Sequence, residues 1–256
     1  MKQTTQGPFS YPHFQPRQGY MTAQIQRKYI ESAIRQKNLP GNAHRMEPII
    51  SLTASNDARQ PIQFWQLYSV LGEDRIVDIV ARFYRRVYAD EHWFRSVFSN
   101  IGDVDSHTNT QSSMWIDVMG GGRVYHGGEY RLSFHHTHNA MQLLNDRGAQ
   151  RWVKMMQETL AEPGIDWTDD PRVRPAVNTF LTYFMGKYAE EFGFDDCASF
   201  GEVNKPIKRK INFLNMTETA IAALTESELW DGLAARGVDV DQYPNKEALV
   251  NKALRL

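Results

Sequence analysis

Cysteine is nearly absent. Cys197 is the single one among 256 residues, so no internal disulfide can form and a reducing compartment is the expected setting. Long apolar runs are also missing: nowhere do 18 apolar residues follow one another, and the N-terminus has no apolar signal core. A membrane partner is therefore not expected. Nor is there an excess of charge of either sign, with 29 Lys and Arg against 30 Asp and Glu, so no bulk field attracts nucleic acid or an anionic membrane. These absences leave a soluble, cytoplasmic protein as the expectation. What the chain does have is aromatic residues, 12 % of the total and mostly in its middle, which suits a large core or a flat ligand.

The order of the segments follows from composition. Residues 1–20 carry Gln, Pro, Tyr and Gly with little apolar periodicity and read as disordered or draped over a surface. Residues 22–38 read as a helix capped by Thr22 and stopped before Pro40, too poor in apolar residues for a core of its own. Together, residues 1–60 read as an extension, partly disordered with one helix. From Pro61 the apolar spacing is helical: Ile76, Val77, Ile79, Val80, Phe83, Tyr84, Val87 and Tyr88 recur at steps of three and four. Further helices are expected over 105–119, capped by Asp105 or Ser106 and ended by Gly120-Gly121-Gly122, over 147–161, capped by Asp146, and over 175–192. No strand pattern interrupts them, so the fold class is all-α. Residues 61–194 form the main domain, 195–215 a linker with a basic run (Lys205, Lys208, Arg209, Lys210), and 216–256 a small helix–loop–helix module.

Eight histidines are present, at 13, 44, 92, 107, 126, 135, 136 and 138, and three crowd into Phe134-His135-His136-Thr137-His138. A histidine cluster on a loop is usually solvated, and zinc is not expected because no cysteine or carboxylate pair stands at ligand spacing. The surrounding sequence points elsewhere. Phe64 to Gly72 resembles the short first helix of the truncated haemoglobins, and Arg82-Phe83-Tyr84 their Phe-Tyr pair, whose tyrosine faces the bound ligand. Val97-Phe98 resembles the aromatic that packs on the haem edge. Met119 to Tyr125 resembles the glycine break and following tyrosine, and Arg131 to His136 the run ending in the proximal histidine. Arg151-Trp152 resembles the start of the family's G helix, and the tryptophan points to the second group.

The resemblance implies a short two-over-two globin fold, haem b as cofactor and His136 as the ligand to its iron. Two departures keep His135 and then His138 as alternatives. Thr137-His138-Asn139 stands where the family has a proline-phenylalanine pair, and the stretch from His136 to Trp152 is a few residues longer. Consecutive helical residues point about 100° apart, so only one of His135 and His136 can face the iron.

Haem is a flat apolar disc that needs a slot between apolar helix faces and an axial imidazole, and Phe98 and Trp115 are expected among its walls. On the ligand side the resemblance implies Tyr84, Gln111, Trp152 and His107. His107 and Gln111 lie four apart on one face of the same expected helix, with His107 at the position that the resemblance makes the family's gate. Gln111 on an apolar stripe calls for a polar partner. Dioxygen, nitric oxide and carbon monoxide are the implied ligands. A polar pocket that retains oxygen favours redox chemistry, such as nitric-oxide dioxygenation or a peroxidase-like reaction with a reductase partner, over bulk oxygen transport. The rival reading is a haem-free scaffold, or a bis-histidyl one with His107 on the iron, serving interaction, sensing or electron transfer.

In the C-terminal module Thr225 and Glu228 form a capping box and Gly237 a C-cap, a pattern similar to small SAP-like modules, some of which bind nucleic acid. Charge argues against that use. Residues 216–256 hold four basic residues (Arg236, Lys246, Lys252, Arg255) against seven acidic ones, whereas a phosphate-binding face is net basic.

Overall fold

The computed structural model describes residues 14–256 apart from His92, Arg209 and Lys210. Most of the N-terminal stretch read as disordered, together with His13, His92 and half of the basic run, lies outside the described residues. Among the described residues the chain is helix, turn and loop, with one isolated parallel bridge between Arg17 and Gly121 and no strand. It divides into two compact units, one ending at Pro206 and one spanning Ile207–Leu256.

The first unit contains α1 (Thr22–Arg35), α2 (Glu47–Ile50), α3 (Tyr68–Ala89), α4 (Phe94–Ser99), α5 (Val104–Val118), α6 (Gly128–Phe134), α7 (Asp146–Leu160) and α8 (Val173–Phe192). A π-helical turn, His135–Asn139, continues α6. The apolar stripe of α3 buries Ile76, Ile79, Val80, Phe83, Tyr84 and Val87, and packs mainly against α5, then α7 and α4. Gly72 bends α3 near its start at φ +69°, and a Cβ there would stand 2.3 Å from the Phe14 ring. A side chain at this position would collide with that ring as well as strain the backbone.

The helix caps differ from those expected, and the reason is the same at two helices. α5 starts one residue early because the Asp103 carboxylate accepts from Ser106 N at 2.8 Å, in place of Asp105 or Ser106 as cap. α7 is capped by Asn145, whose Oδ1 accepts from Gly148 N at 3.0 Å, while Asp146 turns to accept from Asp195 N. In each case the residue before the helix has the extended backbone that lets a side-chain oxygen reach back to the N–H groups. At α1 the N-cap is Met21, and the Thr22 hydroxyl instead donates to the Asp117 carbonyl and accepts from Gly19 N.

The segment before Pro61 is held to the main helices by specific bonds. Asp117, fully buried on α5, accepts from the backbone N–H of Tyr20 (3.0 Å), Met21 (2.9 Å), Thr22 (3.3 Å) and Tyr125 (3.4 Å). Trp65 Nε1 donates to Ile49 O, Gln66 Nε2 donates to Pro48 O, and Arg172 Nη1 donates to the carbonyls of Ser55, Asp57 and Gln60. The apolar face of α1, too thin to stand alone, buries Ile25, Ile30 and Ala33, and its Tyr29 meets Phe64 and Tyr183 edge-on.

The second unit holds α9 (Glu218–Ala222), α10 (Glu226–Ala234) and α11 (Lys246–Ala253) around a core of Ile211, Phe213, Ile221, Leu229, Leu233, Val240, Leu249 and Ala253. The Thr225–Glu228 capping box forms, and Gly237 turns the chain at φ +76° after α10. The core takes in Ile211 and Phe213, so this unit begins inside the stretch read as linker. Phe213 fits there because Gly232 leaves room for its ring.

Removing the Asp117 carboxylate with Asp117→Ala strands several buried N–H groups, each loss worth about 1–3 kcal/mol before relaxation. We expect the first unit to lose about 2–4 kcal/mol, measured by urea unfolding of the full chain followed in the near-ultraviolet circular dichroism. A loss under about 1 kcal/mol would show that the N-terminal segment is held by other contacts.

Candidate functional site

A cavity of about 930 Å³, its mouth included, opens in the first unit. Its walls come from α3, α4, α5, α6, the π turn, α7 and α8, and it collects His136, Phe98, Tyr84, His107, Gln111, Trp115 and Trp152 in one place. Among the described residues, none of the cavity wall precedes Tyr84, so residues 14–55 act on the cavity through the helices they brace.

The three clustered histidines separate. His138 is exposed, stacked on the Phe134 ring at 4.1 Å between centroids, with Nδ1 engaged by Thr137 Oγ1 and Phe134 O. His135 and His136 both border the cavity, 5.6 Å apart between ring centroids. His135 also faces a second cleft, with Tyr125 and Arg131. His136 packs edge-on against Tyr188 at 4.4 Å, and neither of its ring nitrogens bonds another described residue. Burial pushes the His136 imidazole down to about 3, with the neighbouring His135 and Lys187 adding to it, so the ring is neutral near pH 7. His135 is lowered too, first by burial and then by the charges of His107 and Arg131. The π turn widens the helix by one residue per turn. Together with the 3₁₀ turn Met141–Leu143 it takes up part of the long spacing between His136 and Trp152.

Four further polar groups of the cavity, Tyr84, Gln111, Trp152 and His107, come from three helices. Tyr84 is buried, its phenol held protonated by desolvation, and its hydroxyl lies 3.5 Å from Gln111 Oε1, a long contact that leaves the O–H free to turn. Gln111 Nε2 meets the Met114 sulfur at 3.8 Å. Trp152 lies against Phe83 and Phe200, and its indole N–H has no partner among the described residues. His107 is buried beside Tyr84 and Phe98, with Nδ1 at 2.9 Å from Tyr88 Oη and 3.0 Å from Asp103 O. Tyr88 and Tyr188 were legible in sequence only as members of apolar stripes.

This donor set fits a haem: apolar aromatic walls, two imidazoles shifted down by burial with ring nitrogens unengaged among the described residues (His135 and His136), and no thiolate or carboxylate in the cavity lining. A family model described as bacterial-like globin matches residues 66–184. Over that stretch, a little under half of the chain, the protein is similar to the globins, and the relatives it resembles are truncated ones. The chain is 29 % identical over 109 residues to two-on-two hemoglobin-3 of Arabidopsis thaliana, covering 42 % of this chain and 61 % of the relative. It is 28 % identical over 122 residues to group 2 truncated hemoglobin 3-1 of Lotus japonicus, covering 46 % of this chain and 70 % of the relative. No solved structure matches. This likeness supports haem-based ligand binding in general terms. Among the described residues, no helix of the protein is long and apolar enough to cross a membrane.

The α4 wall of the cavity, with Phe94 and Phe98, hangs on Asp90. Its buried carboxylate accepts from Phe94 N at 3.0 Å and pairs with Arg151 of α7. Asp90→Ala removes a cap and leaves a half-buried guanidinium unpaired, together about 2–4 kcal/mol. The backbone amides of Phe94–Ser99 should then exchange with solvent at least about tenfold faster, while those of α8 hold their rates. Unchanged α4 exchange would show that Asp90 does not secure this wall.

Proposed function

We propose that this globin binds haem b through His136 and holds dioxygen or a related diatomic with Tyr84, Gln111 and Trp152. The observation that carries the reading is one cavity combining a neutral, unengaged imidazole with polar hydrogens supplied from separate helices in an apolar surround. Haem, when bound, supplies an iron that takes a diatomic ligand and exchanges electrons. The chain's own groups do the rest. His136 offers a nitrogen lone pair without the cost of losing a proton. The aromatic walls exclude bulk water. Tyr84 and Trp152 donate hydrogen bonds to negative charge that gathers on the ligand, in a low-dielectric site where such bonds are strong.

Nitric-oxide dioxygenation, in which nitric oxide, dioxygen and one electron give nitrate, is the reaction we assign, with a reductase supplying the electron. A cytoplasmic setting goes with this use and with the lone Cys197. Residues 61–194 are the ligand-binding body in this reading. For the C-terminal module we propose protein docking rather than nucleic-acid binding: Lys208 pairs with Asp231, and Arg236 is turned inward onto Ile211 O and the Phe213 ring.

His136→Ala should abolish stable haem binding by the purified full chain, and His138→Ala should leave it intact. Loss of the Soret band in the first variant only is the expected result, and retention of full haem by His136→Ala would overturn the assignment. If His135→Ala alone lost haem, the ligand would be His135.

A second measurement tests the ligand side. A hydrogen bond to a charged acceptor is worth roughly 1.5–3 kcal/mol, and 1.4 kcal/mol is about a factor of ten. Tyr84→Phe and Trp152→Phe should therefore speed oxygen dissociation about ten- to a hundredfold. Carbon monoxide carries less negative charge on its outer atom, so its dissociation should change much less. Equal changes for both gases in stopped-flow would mean that these side chains only pack.

A further inference from the structure

His107 is held by its Nδ1 edge, and the partners there decide where its proton sits. Asp103 O, 3.0 Å away, is a carbonyl and can only accept. Tyr88 Oη, 2.9 Å away on the same nitrogen, has one proton to give, and its carbonyl neighbour Gly102 O lies at 2.5 Å. If Nδ1 were bare, its lone pair would face that of Asp103 O. Tyr88 would then have to turn its proton to Nδ1 and leave two oxygens in close contact unbridged. Both conflicts vanish when Nδ1 carries the proton: Nδ1–H is shared between Asp103 O and Tyr88 Oη, and Tyr88 O–H goes to Gly102 O. We infer that Tyr88 is a positioning residue that fixes neutral His107 as the Nδ1–H tautomer, so that Nε2 presents a lone pair and no hydrogen to the cavity.

The consequence separates His107 from the other polar residues of the site. Tyr84, Trp152 and Gln111 Nε2 carry hydrogens. His107 carries an acceptor, so it does not stabilise negative charge on a bound diatomic, and its partner is a proton donor such as water at the cavity mouth. Which nitrogen of a histidine is available is set by what the other one meets, and here a side chain from α3 and two backbone carbonyls of the α4–α5 corner make that choice. A sequence places His107 and Tyr88 on neighbouring helices but does not say which ring edge they share.

This inference rests on the haem-binding reading only for its effect on ligands, and the two can be tested apart. Nitrogen-15 correlation spectra of the full-length chain, without haem and with carbon monoxide bound to the ferrous haem form, report the His107 tautomer directly. A proton on Nδ1 with Nε2 bare is expected, and a proton on Nε2 overturns the inference. Tyr88→Phe should raise the Nε2–H population, and no change on that substitution would remove Tyr88 from the role. In the haem-loaded chain, His107→Leu should leave the ratio of oxygen to carbon monoxide dissociation rates within about threefold, because no hydrogen bond to oxygen is lost. A rise of about tenfold or more in that ratio would mean His107 donates after all. Absence of a Soret band in the wild-type chain would sink the haem reading while leaving the tautomer result to stand on its own.

Discussion

Four backbone N–H groups converge on the buried carboxylate of Asp117, and much of the first unit is arranged by that convergence. Three of them belong to the entry into α1, a helix with no side-chain cap of its own, so the last turn of α5 supplies the anion that the N-terminal end of α1 needs. The fourth comes from Tyr125, beyond the glycine break, and fixes the chain as it turns toward α6. Arg17 N adds a bond to Gly120 O in the same corner. With α1 set in place, Lys28 reaches Glu129 of α6, which also receives Lys187 from α8. Glu129 sits seven residues before His136, on the helix that runs into the π turn. The described part of the N-terminal segment thus lines none of the cavity and yet braces the helix that carries the proposed iron ligand.

The cavity itself is divided by hydrogen-bonding sense. His136 at one wall is neutral, with neither ring nitrogen engaged by another described residue, and Tyr84, Gln111 and Trp152 bring hydrogens. His107, by the tautomer argued above, brings a lone pair. Each of these polar groups has a reason to be where it is. Burial keeps the Tyr84 phenol protonated, and the α4–α5 corner orients His107. Such groups are costly in an apolar surround unless something takes up their hydrogen bonds. The long 3.5 Å contact between Tyr84 and Gln111 satisfies them poorly, which is what a site reserved for a further partner requires.

Much of this was legible in sequence because it rests on local periodicity. The stripes of α3, α7 and α8 bury the positions their spacing indicates, and the ordered motifs from Phe64 to Trp152 brought seven separate residues to one cavity. What escaped depends on distance in the chain. Asp117 looks like an ordinary polar residue near a helix end, and three of its four backbone partners lie 95 to 97 residues away. Asp103 and Asn145 outcompeted the expected caps through backbone geometry that adjacent aspartates and serines do not reveal. The role of residues 14–55 was hidden for a related reason: an amphipathic helix too weak for its own core is, by the same token, one that must find its core elsewhere. Tyr88 was read as one more apolar member of its stripe because a phenol can fill either role.

The polar set also bears on what the proposed site is good for. Two donors acting together, each worth roughly 1.5–3 kcal/mol against a charged acceptor, would slow release of dioxygen by about two to four powers of ten relative to an apolar pocket. A carrier must let its cargo go at the pressure where it is used, and a ligand held that tightly is instead present long enough to meet a second reactant. An apolar cavity with an open mouth admits a small neutral molecule such as nitric oxide, while the aromatic walls keep water from competing for the donors. Under the proposed function, retention by Tyr84 and Trp152, an acceptor rather than a third donor at His107, and a neutral His136 behind them would together suit consuming dioxygen better than delivering it.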